Sequence, residues 1–306
     1  METTAIRVKG LRKSYGEVDA VRGIDLSVAT GECFALLGPN GAGKTTTVEI
    51  LEGHRRKSSG DVDVLGHDPG RNERAFKARI GIVLQEPGVE RYLTVAEVIE
   101  QFRGYYGHPR PLGEILELVG LTDKRDSLVR KLSGGQKRRL DVAIGLAGDP
   151  ELLFLDEPTT GFDPSARRAA WKMIADLKEL GKTVFLTTHY MDEAQTLADR
   201  VAIISAGNIV AEGTPASLQA GDVRTRISFF VEDPDAIPAT LRARAEIAGT
   251  QVHIATEDAV GDLFDLTWWA KGAGVALDNL QVARPSLEDV YLELTRSAED
   301  EGTTKS

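Results

Sequence analysis

The chain has 306 residues, 42% hydrophobic and 27% charged, the proportions of a folded protein with room for one large domain and a smaller appendage. Its 37 basic residues against 47 acidic ones leave a formal charge of -10, which argues against a nucleic-acid binder, whose affinity comes from basic surface set against phosphates. The single cysteine, Cys33, cannot make an internal disulfide and reads as a small hydrophobe in a buried strand. The opening METTAIRV lacks a signal-peptide pattern, and no apolar run reaches the roughly 18 residues that span a bilayer. The expectation is a cytosolic chain whose membrane role must come from a partner.

In chain order, IRVKGLRKSYG and VDAVRGIDLSV alternate apolar residues and are broken by Gly16 and Gly31, the pattern of strands. ECFALLG is a short, almost wholly apolar run, as expected of a buried parallel strand. It leads through a glycine-rich loop into a helix, KTTTVEILEG. RIGIVLQ is another buried strand, ending at Gln85. In TVAEVIEQF, Thr94 and Glu97 form a capping box, and Val95, Val98, Ile99 and Phe102 fall on one helical face. Mostly helical text follows to about Gly148. ELLFLDE and TVFLTTH return to the buried-strand pattern on either side of the helix SARRAAWKMIADLKEL. RVAIIS and NIVAEG close this part as strands around an Ala206-Gly207 turn.

Strands alternating with helices predict an α/β sheet domain over residues 1–220, interrupted by an all-helical insert at about 86–148. Past GTPASLQAGD, the segments TRISFFVE, TQVHIATE and LDNLQVA read as strands, with helices at about 261–272 and in SLEDVYLELT. In the last of these, Leu287, Val290, Tyr291 and Leu294 form one apolar stripe, and Ser286 with Asp289 makes a weaker cap. The expectation is a small α+β domain over 222–297, followed by a disordered polar tail at 298–306.

The chemistry concentrates in three places. GPNGAGKT, between a predicted strand and helix, fits the phosphate-loop pattern G-x-x-x-x-G-K-[ST]. Glycines let backbone N–H groups close around phosphate oxygens at a helix N-terminus. Lys44 is then placed to reach the β and γ phosphates and Thr45 to ligate Mg²⁺. LLFLDEP ends a strand in two acids: Asp156 is placed to hold Mg²⁺, and Glu157 to accept a proton from attacking water. LSGGQKRR, from Leu132 to Arg139, supplies a second glycine pair at a helix start, although one cradle holds one nucleotide. The triplet Lys137, Arg138 and Arg139 reads as a solvated helix face rather than a nucleic-acid patch.

Together these motifs resemble the ATP-binding subunits of ABC transporters over about residues 5–220. The fold that the resemblance implies is a P-loop ABC cassette: a mixed α/β sheet core with antiparallel N-terminal strands and an all-helical insert. In that family LSGGQ is the signature, Leu132 to Gln136 here. Its adenine-stacking tyrosine corresponds to Tyr15, its Q-loop glutamine to Gln85 and its switch histidine to His189. The resemblance thus implies catalytic roles for Glu157, His189 and Gln85, and a nucleotide cradle of Tyr15, Gly38, Pro39, Asn40, Gly41, Ala42, Gly43, Lys44, Thr45 and Thr46. Thr45, Gln85 and Asp156 would hold Mg²⁺. On residue chemistry alone, Tyr15 also fits a strand edge, Gln85 a polar strand end and His189 a satisfied structural histidine.

The second helix start is explained if LSGGQ serves the ATP of another subunit. Ser133, Gly134, Gly135, Gln136 and the D-loop Asp163 would contact it across a head-to-tail homodimer. The D-loop reads GFDP, with Phe162 where the family usually has leucine. The closing text, THYMDEAQTLADRVAIISAGNIVAEGTP with ARPSLEDVYLELT, resembles the daunorubicin-resistance-type exporters. Those ATPases power a separate ABC-2 type permease from the cytoplasmic face of the membrane and never touch the exported drug or antibiotic. Polysaccharide, lantibiotic and nutrient transport, and non-transport ABC ATPases, are the alternatives. A single cassette without a long coiled-coil insertion speaks against the last.

Overall fold

The computed structural model describes residues 3–71, 73–83, 90–220, 225–283 and 291. The chain divides into two compact units, one running to Pro215 and the other starting at Ala216.

The first unit opens on two long antiparallel strands, β1 (Thr4–Tyr15) and β2 (Val18–Ala29), whose apolar residues alternate inward. β3 (Cys33–Leu37) is buried at every position, and α1 (Lys44–Leu51) follows the glycine loop. β4 (Ser59–Val64) joins the far side of β1. It can approach because Gly60, at φ 93°, lies where a Cβ would sit 2.4 Å from the carbonyl of Gly10. A short helix, α2 (Arg74–Lys77), leads to β5 (Ile80–Val83).

The helical insert holds α3 (Val95–Arg103), α4 (Leu112–Leu118) and α5 (Gly134–Gly145). Thr94 and Glu97 form the expected capping box, and Val95, Val98 and Ile99 are buried. α5 lies against β5 so closely that a Cβ on Gly81 would meet the Gly145 carbonyl at 2.3 Å. The chain then returns through β6 (Leu152–Asp156), α6 (Pro164–Glu179), β7 (Thr183–Thr188), α7 (Met191–Leu197), β8 (Arg200–Ser205) and β9 (Asn208–Gly213).

The central sheet runs β5-β6-β7-β3-β8-β9, parallel except for β9, and the three-stranded sheet runs β2-β1-β4. One apolar cluster joins the two sheets: Ile6, Val8, Val21 and Leu26 pack with Phe34, Leu36, Phe154 and Phe185, and with Val48 and Leu51 of α1. Cys33 is buried as a small hydrophobe, and burial pushes its thiol up to about 12, far from thiolate chemistry.

α8 (Pro215–Ala220) leads into the second unit. Its strands are β10 (Thr225–Phe230), β11 (Ala245–Ala248), β12 (Gln251–Thr256) and β13 (Asp278–Ala283), and its helices α9 (Ala239–Arg242) and α10 (Ala259–Ala273). The antiparallel order is β11-β12-β10-β13. Ile227, Phe229, Val252 and Ile254 of the sheet pack on Leu266 of α10 and Leu241 of α9. β4, β11, α2 and α9 are elements that the sequence reading did not anticipate. The stripe of SLEDVYLELT, apart from Tyr291, and the tail lie outside the described residues.

Candidate active site

Three strands of the central sheet end level with one another. In the parallel register Leu37 faces Thr188 and Asp156 faces Thr187, so the glycine loop, the two acids and His189 all leave the sheet at its carboxyl edge. Crevices at that edge are where open α/β sheets bind ligands.

The loop is built by close backbone approach. Gly43 caps α1 at φ 106°, and a Cβ there would stand 2.4 Å from the Ala20 carbonyl; on Gly38 it would meet the Ile204 carbonyl at 2.4 Å. Gly41, at φ 80°, has open space beside it. Ala42 is buried and its amide bonds the Pro39 carbonyl at 3.3 Å, while Pro39, Asn40 and Gly41 are exposed. The Thr47 hydroxyl closes on the Gly43 carbonyl at 2.8 Å, Thr45 is exposed, and Thr46 is half-buried. Lys44 is buried, its Nζ donating to the carbonyls of Gly38 at 2.7 Å and Pro39 at 3.1 Å. Burial holds that ammonium below its ordinary value, opposed by the negative charges of Glu157 and Asp156.

The acids are fixed by the neighbouring strand. The Thr187 hydroxyl donates to the Asp156 carboxylate, and the Glu157 amide donates to the Thr187 carbonyl and hydroxyl oxygens, both at 3.1 Å. Glu157 sits at φ 45°, a left-handed conformation that costs a non-glycine residue about 1–2 kcal/mol. That turn aims its carboxylate at three groups. Lys44 Nζ is 3.8 Å away, His189 Nδ1 is 3.2 Å away, and the Thr160 hydroxyl donates at 3.1 Å. Phosphate-loop lysine, strand-end acids and switch-position histidine are therefore brought together. Tyr15 is 40% exposed, with Lys13 Nζ 4.9 Å and Arg55 5.2 Å from its ring. Gln85 lies outside the described residues.

The second helix start is a self-capped one. Ser133 is the N-cap of α5: its hydroxyl accepts the Gln136 amide at 3.3 Å, and its own amide donates to the Gln136 side chain at 2.9 Å. The box spares two donors and leaves the first-turn amides of Gly134 and Gly135 without an intrahelical acceptor. The sequence carried this box as S-x-x-Q, a signal that the reading passed over. Asp163 caps α6, accepting from the amides of Ser165 at 2.8 Å and Ala166 at 2.9 Å. Ser133, Gly134, Gly135, Gln136, Phe162, Asp163 and Glu157 line one open cleft of about 1020 Å³, whereas the phosphate loop does not line it.

One expectation is corrected here. Arg138 is not on a solvated face: it is buried, and its guanidinium donates to the carbonyls of Asp156 at 2.8 Å and Pro158 at 3.2 Å, with that of Glu157 at 3.5 Å. Consecutive helical residues point about 100° apart, so the middle of a basic triplet can face inward. Lys137 and Arg139 remain half-exposed, and Arg139 donates to the Gly120 carbonyl at 3.0 Å. Glu193 was also missed. Fully buried, it accepts from the Thr159 hydroxyl at 2.8 Å and the Trp171 indole at 3.1 Å, and burial raises its carboxyl above the usual range.

A phosphate loop between β3 and α1, an acidic pair ending β6 and a histidine ending β7 define an ATP-binding P-loop ATPase. The ABC transporter family matches residues 21–160, and a C-terminal domain of ABC transporter domain-containing proteins matches residues 225–286. The Nod factor export ATP-binding protein I of Rhizobium sp. (strain N33) is 39% identical over 96% of this chain and 98% of that protein. The daunorubicin resistance ATP-binding protein DrrA2 of Streptomyces coeruleorubidus is 38% identical over 96% of each. Among solved structures, cbiO1 from Clostridium perfringens, part of the ABC transporter complex cbiONQ, superposes with a TM-score of 0.65 at 29% identity, covering 72% of this chain and 92% of that one. An ATP-binding cassette of an ABC transporter in its ADP conformation gives 0.62 at 26% identity, over 69% and 91%. This chain belongs to the ABC transporter family, as an ATP-binding, ATP-hydrolysing subunit.

Proposed function

We propose that the chain powers export of a drug, antibiotic or comparable cargo as a homodimer, docked on the cytoplasmic face of the membrane to a separate ABC-2 type permease. The observation that carries this reading is the exposed α5 helix start, whose Gly134 and Gly135 amides have no intrahelical acceptor, in a chain that already has a phosphate loop. Two chains placed head to tail would give each ATP one loop and one signature. Similarity supports the transport role, since relatives named for Nod factor export and for daunorubicin resistance are 39% and 38% identical to it. Near-equal likeness to subunits named for different cargos fits a subunit that never contacts its cargo. Among the described residues no helix is long and apolar enough to cross a membrane.

Each residue then has a role. Lys44 exchanges its carbonyl partners for the β and γ phosphate oxygens of ATP. Glu157 accepts the proton of the attacking water, and His189, 3.2 Å away, orients that carboxylate. Thr45 and Asp156 offer hard oxygen donors of the kind Mg²⁺ takes, and Gln85 is the third ligand that the family resemblance implies. Mg²⁺ held by these residues would supply positive charge against the negative charge that develops on the phosphates. Ser133, Gly134, Gly135 and Gln136, with Asp163, complete the site from the partner copy. Tyr92 is exposed beside Arg130 and is offered for contact with the permease helix that the family resemblance implies.

Glu157→Gln tests the core of this reading. Turnover should fall roughly 10²–10⁴-fold, the usual worth of a general base, while ATP stays bound and the ATP-bound dimer accumulates in light scattering. Undiminished turnover would refute the assignment. Affinity capture from detergent-solubilised membranes should return a polytopic membrane protein rather than ribosomes or DNA. Substituting Tyr92 should lower transport and leave basal ATPase intact.

A further inference from the structure

The contact between Glu157 and His189 has a buried counterpart behind it. Those two residues, which follow β6 and β7, meet at 3.2 Å. Two residues beyond Glu157 and four beyond His189, the same segments meet again: the Thr159 hydroxyl donates to Glu193 Oε1 at 2.8 Å. Thr159 and Glu193 are both fully buried. The Trp171 indole of α6 donates to that same oxygen at 3.1 Å. One carboxyl oxygen therefore gathers the acid turn, the helix that Asp163 caps, and the segment that carries His189.

Burial decides which contacts hold that segment. On the outside, α6 reaches it through Arg167, which donates to Asp192 at 3.2 Å and lies 4.5 Å from the Tyr190 ring centre. Asp192 is 56% exposed, and so wet an ion pair contributes little. Thr159 and Glu193 are closed to solvent, so neither can exchange a lost partner for water. Burial also raises the Glu193 carboxyl above its usual range, so an apolar side chain would serve packing alone at lower cost. The turn after Asp156 is gripped from its other side by Arg138, through the carbonyls of Asp156 and Pro158. Within the turn, the Thr160 hydroxyl holds the Glu157 carboxylate at 3.1 Å. Thr159 is thus the point at which α7 can set the position of Glu157.

We propose that Glu193 is a positioning residue for hydrolysis: through Thr159 it holds Glu157 and His189 within reach of each other. The proposal rests on the roles given above to those two residues and adds the device that keeps them paired.

ATPase kinetics and the imidazole NMR signals of His189, assigned with His189→Gln, test it on the full chain. Glu193→Leu and Thr159→Val should each lower kcat roughly 10- to 100-fold, the scale of a misplacement by about 1 Å, with ATP Kd unchanged. Both should shift the His189 signals in the nucleotide-free protein. Their double variant should lose no more than Glu193→Leu alone, because both remove one bond. Glu193→Gln keeps the accepting oxygen and should retain most of the turnover. Trp171→Phe removes the other donor and should lower Tm with kcat near the wild-type value. Should Glu193→Leu fail to fold, Thr159→Val carries the test, since it exchanges one hydroxyl for a methyl. Losses of kcat that merely follow Tm across Thr159→Val, Glu193→Leu and Trp171→Phe, or His189 signals indifferent to Thr159→Val, would overturn the proposal. Wild-type turnover in Glu157→Gln would instead refute the general base and leave the His189 signals as the measure of the link.

Discussion

Replacing Arg138 with methionine isolates what a buried cation does for the acid pair. Methionine keeps most of the apolar stem packing, so the loss is polar. Two carbonyls, those of Asp156 at 2.8 Å and Pro158 at 3.2 Å, lose a charged donor; the Glu157 contact at 3.5 Å is too long to count for much. Hydrogen bonds to charged groups contribute about 1.5–3 kcal/mol each, a gross loss of about 3–6 kcal/mol. Relief of guanidinium desolvation, which holds Arg138 below its ordinary pKa, returns part of that. The expected net loss is about 3 kcal/mol, which for a domain of this size lowers Tm by about 6–12 °C. Differential scanning calorimetry of the wild type and the Arg138→Met and Arg138→Lys variants measures it. Lysine should recover only part, because one ammonium lacks the guanidinium fork. ATPase turnover should fall with stability, since the carbonyls concerned belong to the residues that aim Glu157, while ATP affinity at the phosphate loop is retained. A Tm loss below about 2 °C would mean that water replaces the guanidinium freely and that the contact does not hold the acids.

Burial pushes the Asp141 carboxyl up to about 7, partly offset by Arg138, and pushes Glu52 up to about 8, aided by the charges of Asp156 and Glu49. The fold therefore favours both carboxyls protonated, and at about 1.4 kcal/mol per unit their ionisation removes up to about 4–5 kcal/mol each as pH rises from about 4 to about 8. Asp141→Asn should gain stability over the wild type progressively across pH 4 to 7 in urea titrations; parallel pH curves would refute the burial argument. Tyr15→Ser should raise the ATP Kd roughly 5- to 100-fold, the worth of one base-stacking aromatic, with kcat unchanged and Tyr15→Trp restoring affinity. Gly43→Ala should abolish ATP binding, because its Cβ meets backbone at 2.4 Å, whereas Gly41→Ala, with open space at φ 80°, should lose only about 1–2 kcal/mol of stability.

Much of the site was legible because its residues are local. A strand-loop-helix phosphate cradle, two acids ending an apolar strand and a histidine ending another are each contained in a few consecutive residues. Thr94 and Glu97 declared their helix start for the same reason, since a capping box spans four positions. What the sequence hid is held across elements. Thr187 fixes both acids from the adjacent strand, Glu193 joins Thr159 to Trp171 across three segments, and Arg138 reaches from α5 to the end of β6. Nothing in KRR says which of three cations turns inward. β4 (SGDVDV) and β11 (AEIA) are built mostly of Gly, Asp, Ala and Glu, residues depleted in strands, and so read as loop text.

The level ends of β3, β6 and β7 carry an evolutionary corollary. A strand is a ruler with a 3.3 Å graduation, and the site is read off three rulers laid side by side. Deleting one residue within Thr183–Thr188 would turn every later side chain to the opposite face, carrying His189 away from Glu157 whatever amino acids remained. Substitutions within these strands can drift so long as they stay apolar, but insertions and deletions cannot be absorbed there. Length variation among descendants of this chain is therefore confined to the loops and to the helical insert, and it is the spacing of the strands, more than their letters, that is inherited.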